Sequence, residues 1–401
     1  MRIAIVADTY PPLRSSGAVQ LRDLSQEFVR QGHEVTMLVP SQEIDSSWAV
    51  ETLEGVQVLR LAALHTKDKG YVRRTLGEML LSFLMLRAFR KSPLRDVKWD
   101  GVIWYSPTIF LGPLAAALKR SSNCPSYLIL RDIFPEWAVD MGVLSKGIVY
   151  RFFKAVEHYQ YSVADIIGVQ SRSGLPYMAE WSKKAGHRLE VLQNWLAPAR
   201  NVGCCVSIAD SPLVGRKVFV YAGNMGLAQG MDVVLDLAQR LVARKDIGFL
   251  FVGRGSDVPR LRALADGRKL ENVLFRDEVE PKEVPGLLAQ CHIGLVVLDP
   301  RHKTHNVPGK FLTYMQAGLP VLARINAGND LADLIRQENV GAAYLGDSLD
   351  ELQALAEYLC DNDAGREAMC SNAQRLADSL YSARAAVSQI VSALSARPSA
   401  D

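Results

Sequence analysis

RIAIVADTYPPLRSSGAVQLRDLSQEFVRQGHEVTMLVP, residues 2–40, holds the pattern that the rest of the chain repeats. Residues 2–7 form a short apolar run that stops at Asp8 and the Pro11-Pro12 turn. Such a run reads as a strand buried on both faces of a parallel sheet. Ala18, Leu21, Leu24, Phe28 and Val29 then fall on one face of a helix, and Gly32 is its expected stop. Ser16, just before it, is a good helix-capping type. Residues 35–39 read as the next strand. Strand, glycine-containing loop, helix and strand within about 40 residues make a right-handed βαβ unit.

Outward from this unit the alternation continues. Apolar runs at 56–61, 102–105, 127–130, 166–169 and 189–192 are separated by helical or turn-rich sequence. The stretch LAPARNVGCCVSIADSPLVGRK (196–217), with little periodicity, reads as a linker. The alternation then restarts, with strands at 218–222, 249–252, 273–275, 293–298 and 321–323 and helices near 230–243, 256–266, 282–290 and 309–317. Residues 348–395 look helical. The expectation is an α/β chain of two Rossmann-like domains: 1–195, the linker 196–217, 218–380, and a C-terminal helix and tail at 381–401. Ligands bind at the carboxyl ends of parallel strands, so two such sheets would face one another across a cleft.

The length of 401 residues accommodates two domains. The 46 basic and 43 acidic side chains leave a net charge of +3, too balanced for a nucleic-acid partner. The six cysteines form no C-x-x-C pair and read as reduced thiols. No secretory signal pattern opens the chain, so the expected compartment is the cytoplasm.

Three stretches carry candidate chemistry in the second half. In HNVPGKFLTYMQAGLPVLARINAGNDLADLI (305–335), Pro308 and Gly309 start a helix with Lys310 at the same end. A helix N-terminus with a lysine suits a diphosphate. The same residues would also make an ordinary αβ corner with a solvated lysine. In YAGNMGLAQG (221–230), Gly223 and Gly226 lie in a glycine-rich corner between strand and helix, suited to phosphate or purely structural. Its spacing is not that of a dinucleotide fingerprint. Arg254, in VGRGSD, is a further cation.

In the first half, Gly17 sits in the loop after the first strand, and Arg131 and Asp132 sit at a strand end in LRDIFPEWAVDMG (130–142). Asp132 would orient an acceptor hydroxyl, and Arg131 would bind phosphate or acceptor. Each would equally serve as half of a structural ion pair. Ser171 and Asn194 end later strands and, with Ser16 of the first loop, are acceptor or cleft candidates.

The 305–335 stretch, ending in Gly318, Pro320 and Val321, resembles the nucleotide-sugar-binding segment of glycosyltransferase family 4, the retaining enzymes of GT-B fold, which implies C-terminal helices packing back toward the N-terminal domain. The V-P-G-K pattern with Tyr314 is similar to an L-fucosaminyltransferase branch that assembles bacterial surface polysaccharides. The resemblance implies a glutamate, seven residues and a second glutamate; His305 and Thr313 stand in those places. It implies that Gly17 and the 223–226 loop reach the donor phosphates, with Asn224 and Gln229 where an arginine and a lysine often stand. It also implies that the backbone at Glu278 and Val279 reads uracil. Lys310 then becomes the main diphosphate cation, with Asp132 and Arg131 the other catalytic candidates.

The implied activity is retaining transfer of an N-acetylhexosamine from a UDP-sugar to a saccharide on undecaprenyl diphosphate, in O-antigen or capsule synthesis. No D-x-D motif is present, and neither metal nor cofactor is expected. A UDP-sugar 2-epimerase of the same fold, and a non-catalytic nucleotide-sugar-binding protein, are the competing readings. Residues 67–98 hold nine basic and three acidic side chains around the apolar run 79–86. That run is too short for a span of about 20 residues but suits an interfacial helix. Residues 70–98 are therefore the expected contact with the inner face of the cytoplasmic membrane, and a basic rim on a core helix is the alternative.

Overall fold

The computed structural model describes residues 1–13, 15–63, 71–140, 142–184, 186–226, 229–298, 307–326 and 330–396. They divide into two compact units. The first comprises Met1–Trp195 and the chain from Ala383; the second is Leu196–Ser382.

The first unit is built on β1 (Arg2–Val6), β2 (Glu34–Ser41), β3 (Trp48–Leu53), β4 (Val56–Ala62), β5 (Gly101–Ser106), β6 (Ser126–Leu130), β7 (Ile166–Val169) and β8 (Arg188–Val191). They form one sheet in the order β3-β4-β2-β1-β5-β6-β7-β8. Every pairing is parallel except the β3–β4 hairpin at the edge. The inner strands are buried on both faces because helices cover both. One face packs on α2 (Tyr71–Phe89), α3 (Gly112–Ser122) and α5 (Ile148–Val163), with α4 (Glu136–Asp140) leading into α5. The other packs on α1 (Ser16–Arg30) and on the final helix, Ala383–Ser395. A short helix, α6 (Ala179–Ser182), precedes β8.

The second unit has β9 (Lys217–Ala222), β10 (Ile247–Val252), β11 (Val273–Arg276), β12 (Ile293–Val297), β13 (Val321–Arg324) and β14 (Gly341–Tyr344), all parallel, in the order β11-β10-β9-β12-β13-β14. Helices α7 (Asp232–Arg240), α8 (Val258–Gly267) and α12 (Leu349–Asp361) cover one face. Helices α9 (Val284–Leu288), α10 (Gly309–Gln316), α11 (Asp330–Glu338) and α13 (Asp363–Leu380) cover the other.

Of three sequence expectations, the return of the C-terminal helix toward the first domain is met and the other two meet a different outcome. The stretch 196–217 belongs to the second unit: Ile208 and Leu213 are buried in its core, and the Ile208 N–H donates to Gln290 Oε1 at 2.9 Å. Its sparse apolar residues show no period, yet Ile208 and Leu213 anchor it while Val202 and Val214 stay exposed. The final helix, α14 (Ala383–Ser395), is part of the first unit's core. Ala383, Ala386, Val387, Ile390, Ala393 and Leu394 repeat at helical spacing and are buried there. Gly101 makes room for it, since a Cβ there would lie 2.9 Å from Leu394 Cδ1. The apolar run 79–86 is split, with Leu81 and Met85 in the core and Leu80 and Phe83 exposed. Lys67 and Lys69 lie outside the described residues.

All six cysteines are free. The fold brings Cys204, Cys205 and Glu283 within 4.8 Å of one another, which no spacing along the chain announced. Both Glu283 oxygens already accept backbone N–H groups, from Cys205 at 2.8 Å and from Glu280 at 3.2 Å. Among the described residues no helix is long and apolar enough to cross a membrane.

Candidate active site

The strand order of the second unit reverses between β9 and β12, so the loops leaving those strands diverge and open a crevice at their carboxyl ends. The two strands pair only at Ile293↔Phe219 and Gly294↔Val220. Tyr314 of α10 takes over where the pairing stops. Its hydroxyl accepts the Ala222 N–H at 3.1 Å and lies 3.1 Å from the Val220 carbonyl, to which it donates. Gly294 lets the ring approach, since a Cβ there would sit 2.5 Å from it. This contact ties α10 to the end of β9.

Lys310 stands in the first turn of α10. Its Nζ donates to Tyr221 Oη at 3.0 Å and lies 4.5 Å from the Tyr221 ring centroid. The Tyr221 hydroxyl in turn donates to the Asn224 carbonyl at 2.8 Å. Among the described residues no carboxylate pairs with Lys310, and burial brings its ammonium down to about 8. Pro308 is the N-cap and supplies no side-chain hydrogen bond; the Phe311 N–H donates to its carbonyl at 2.9 Å, so among the described residues the Gly309 and Lys310 amides keep their donor capacity. A Cβ on Gly223 would lie 3.8 Å from Lys310 Cε. Gly223, Pro308, Gly309 and Lys310 are thus brought together. Thr313 follows one turn on, its hydroxyl donating to the Gly309 carbonyl at 3.3 Å.

The glycine loop is held from beneath. The Gly223 N–H donates to the Val252 carbonyl at 2.9 Å, and the Met225 N–H to that of Arg254 at 2.8 Å. Gly253 has φ +147°, and a Cβ there would lie 2.0 Å from the Gly223 carbonyl oxygen, so only glycine permits the approach. Gln229 accepts the Gly226 N–H at 2.8 Å, which makes it a brace of the turn, while Asn224 is exposed. Arg254 pairs with Glu278 at 3.3 Å, both exposed. The backbone groups of Glu278 and Val279 take no partner among the described residues. His305 lies outside the described residues. Tyr221, Tyr314 and Gly253 were not foreseen as site residues: the tyrosines sit in apolar runs that look like core, and the glycine's φ leaves no mark in sequence.

In the first unit the order reverses between β1 and β5. Gly17 lies there, where a Cβ would come within 3.3 Å of both Thr9 and Tyr105. The cap of α1 is Ser15, whose Oγ accepts the Ala18 N–H at 3.2 Å; Ser16 is an exposed first-turn residue. The helix begins earlier than its apolar spacing suggests, which moves the capping role back one serine.

Arg131 turns inward. It donates to the carbonyls of Leu192 at 2.7 Å and Gln193 at 3.3 Å, and lies 4.8 Å from the Trp195 ring centroid. The guanidinium therefore braces the strand ends, and no exposed phosphate-binding arm is formed. Asp132 is open to solvent, although the protein around it raises its carboxyl above the ordinary value and the Arg131 charge opposes that shift. Ser171 is buried, and the Asn194 Oδ1 is buried with no partner among the described residues. Asp132, Ser171 and Asn194 follow β6, β7 and β8, three adjacent strands, on their carboxyl side. Glu136 is engaged elsewhere, with Lys154 at 2.6 Å.

Residues 216–362, from β9 to α12, match the family described as glycosyl transferases group 1. The chain is 28% identical over 243 residues to a probable glycosyltransferase, WbjE, of Pseudomonas aeruginosa, covering 59% of this chain and 60% of that one. It is 25% identical over 353 residues to a putative colanic acid biosynthesis glycosyl transferase, WcaI, of Escherichia coli K12, covering 83% and 86%. Among solved structures, Anabaena HepE in complex with UDP superposes with a TM-score of 0.67 at 15% identity, over 98% of this chain and 100% of that one. Fold and matched domain together define what is shown: two units of the GT-B fold, the second carrying a domain that matches the group 1 glycosyl transferases, the domain of a hexosyltransferase.

Proposed function

We propose that the chain transfers an N-acetylhexosamine, with N-acetyl-L-fucosamine the favoured sugar, from a UDP-sugar to a saccharide carried on undecaprenyl diphosphate. The observation that carries this reading is Lys310, a cation with no carboxylate partner among the described residues, set in the first turn of α10 beside Gly223. Such an ammonium is poorly solvated until an anion arrives, and the α10 amides offer donors to the same anion. The HepE complex holds UDP, and the WcaI relative is named for colanic acid biosynthesis, which supports a nucleotide-sugar donor and a polysaccharide product.

In this reading Lys310 and the α10 amides stabilise the charge that builds on the departing diphosphate. The bond between the sugar C1 and the phosphate oxygen breaks, and the acceptor oxygen bonds to C1 on the same face. The acceptor's proton passes to the departing phosphate oxygen, so configuration is retained without a protein nucleophile. Asp132 orients the acceptor hydroxyl, and Arg131 braces the strand ends beside it through the Leu192 and Gln193 carbonyls. Ser171 and Asn194 line the acceptor side, and the free backbone groups of Glu278 and Val279 read uracil. No metal or cofactor is required, and the enzyme works peripherally at the inner face of the cytoplasmic membrane.

The test is product mass analysis with a panel of UDP-sugars, with and without a lipid-linked acceptor. Release of UDP with a gain of one hexosamine on the acceptor is expected. An intact nucleotide sugar epimerised at C2, or binding without turnover of any donor, would overturn the assignment.

A further inference from the structure

We propose that the first unit docks on an anionic bilayer through the turn into α5, residues 143–152, and not through α2. The inference rests on the acceptor being lipid-linked and names the surface that would meet its membrane.

Val143, Ile148, Val149 and Phe152 are 72%, 87%, 55% and 40% exposed. Ile148, Val149 and Phe152 stand at i, i+1 and i+4 on the first turns of α5, so they share one face. The buried residues of that helix, Glu157, Gln160, Tyr161 and Val163, all lie in its second half. Four neighbouring apolar side chains facing water are a marked surface on a folded chain.

Charge selects the occupant. Between 142 and 153 the charged residues are Lys146 and Arg151, both exposed. Asp140 precedes the stretch, and the carboxylates Glu136 and Glu157 on either side are both taken by Lys154, at 2.6 and 2.7 Å. Apolar residues beside two exposed bases match acyl boundary and anionic headgroups. A second copy of the same face would set base against base.

The face is joined to the candidate site of its own unit. The Phe153 ring lies 5.0 Å from that of Phe134, two residues beyond Asp132, and 6.4 Å from that of Phe110 in the loop after β5. Docking by 148–152 would therefore bring a headgroup-level acceptor to the Asp132 loop. On α2 the comparable run is half consumed by the core, through Leu81 and Met85.

The experiment is co-sedimentation of the full chain with phosphatidylcholine vesicles containing about one third phosphatidylglycerol. The wild type should bind. Ile148→Asp with Val149→Asp should lower the partition coefficient at least about tenfold. Lys146→Glu with Arg151→Glu should weaken it by about fivefold or more per base, in a salt-dependent way. Leu80→Asp with Phe83→Asp on α2 should leave it unchanged. Circular dichroism melting and UDP affinity, read on every variant, confirm that the chains are folded. Failure of the wild type to bind, loss of binding only in the α2 pair, equal binding to pure phosphatidylcholine, or Ile148→Asp dissolving a dimer while vesicle binding persists would each overturn the proposal. UDP-sugar turnover with a soluble acceptor reads the transferase assignment separately, so the two can fail independently.

Discussion

Among the described residues Lys310 lacks the carboxylate partner a buried lysine ordinarily has. Its ammonium is brought from 10.5 to about 8 by burial alone, and Tyr221 offers it an oxygen and a ring but no charge. A diphosphate would stabilise the protonated form and raise that value again. UDP affinity is therefore expected to be flat below about pH 8 and to fall as pH rises through it, by up to about tenfold per unit. Isothermal titration between neutral and alkaline pH checks this, and an affinity independent of pH would contradict it. The ligand-free protein should show the opposite trend. Between the folded and unfolded lysine values the unfolded chain binds more protons, so this group's contribution to stability rises with pH across that window.

At this scale Lys310 was legible because Pro-Gly-Lys marks a helix start. Arg131 was legible as a charge at a strand end, but its direction was not. Whether a guanidinium meets solvent or turns onto backbone carbonyls depends on Trp195, 64 residues further along the chain.

At the scale of elements, α10 is held by Tyr314, whose hydroxyl completes the hydrogen bonding of β9 where β12 has turned away. Tyr314→Phe leaves the buried Ala222 N–H without its acceptor. It should destabilise the second unit by about 1–3 kcal/mol and weaken UDP binding, because the α10 N-terminus loses its anchor. Urea unfolding and titration on the same sample check both effects. Unchanged stability would mean that the hydroxyl is not bridging the strands.

The alternation of strands and helices was readable because parallel strands buried on both faces leave continuous apolar runs. The β3–β4 hairpin was only half seen. β3 is an edge strand whose residues are half-buried at most, so it leaves no apolar run. Periodicity reports burial, and it is blind where burial is partial.

The whole molecule is not two consecutive blocks. α14 returns to the first unit and completes the face shared by β1 and α1. Its helical spacing was legible in its own residues, and its return to the first domain came from the family resemblance, because its buried face of Ala, Val, Ile and Leu would suit either sheet. A chain ending at Ser382 exposes that face. The loss is roughly 5–10 kcal/mol, comparable to the stability of a domain. Limited proteolysis should then degrade the 1–195 segment while a fragment covering 196–382 survives and still binds UDP. Equal resistance of both segments would contradict this division.

The account stands on one ammonium receiving a diphosphate at the carboxyl end of β9. Calorimetric titration of UDP into the wild type and Lys310→Met, at a pH below 8, tests it most directly. Saturable binding to the wild type, reduced at least about a hundredfold in a variant whose melting temperature is equal or higher, is the predicted result. Equal affinity in the two proteins would contradict it.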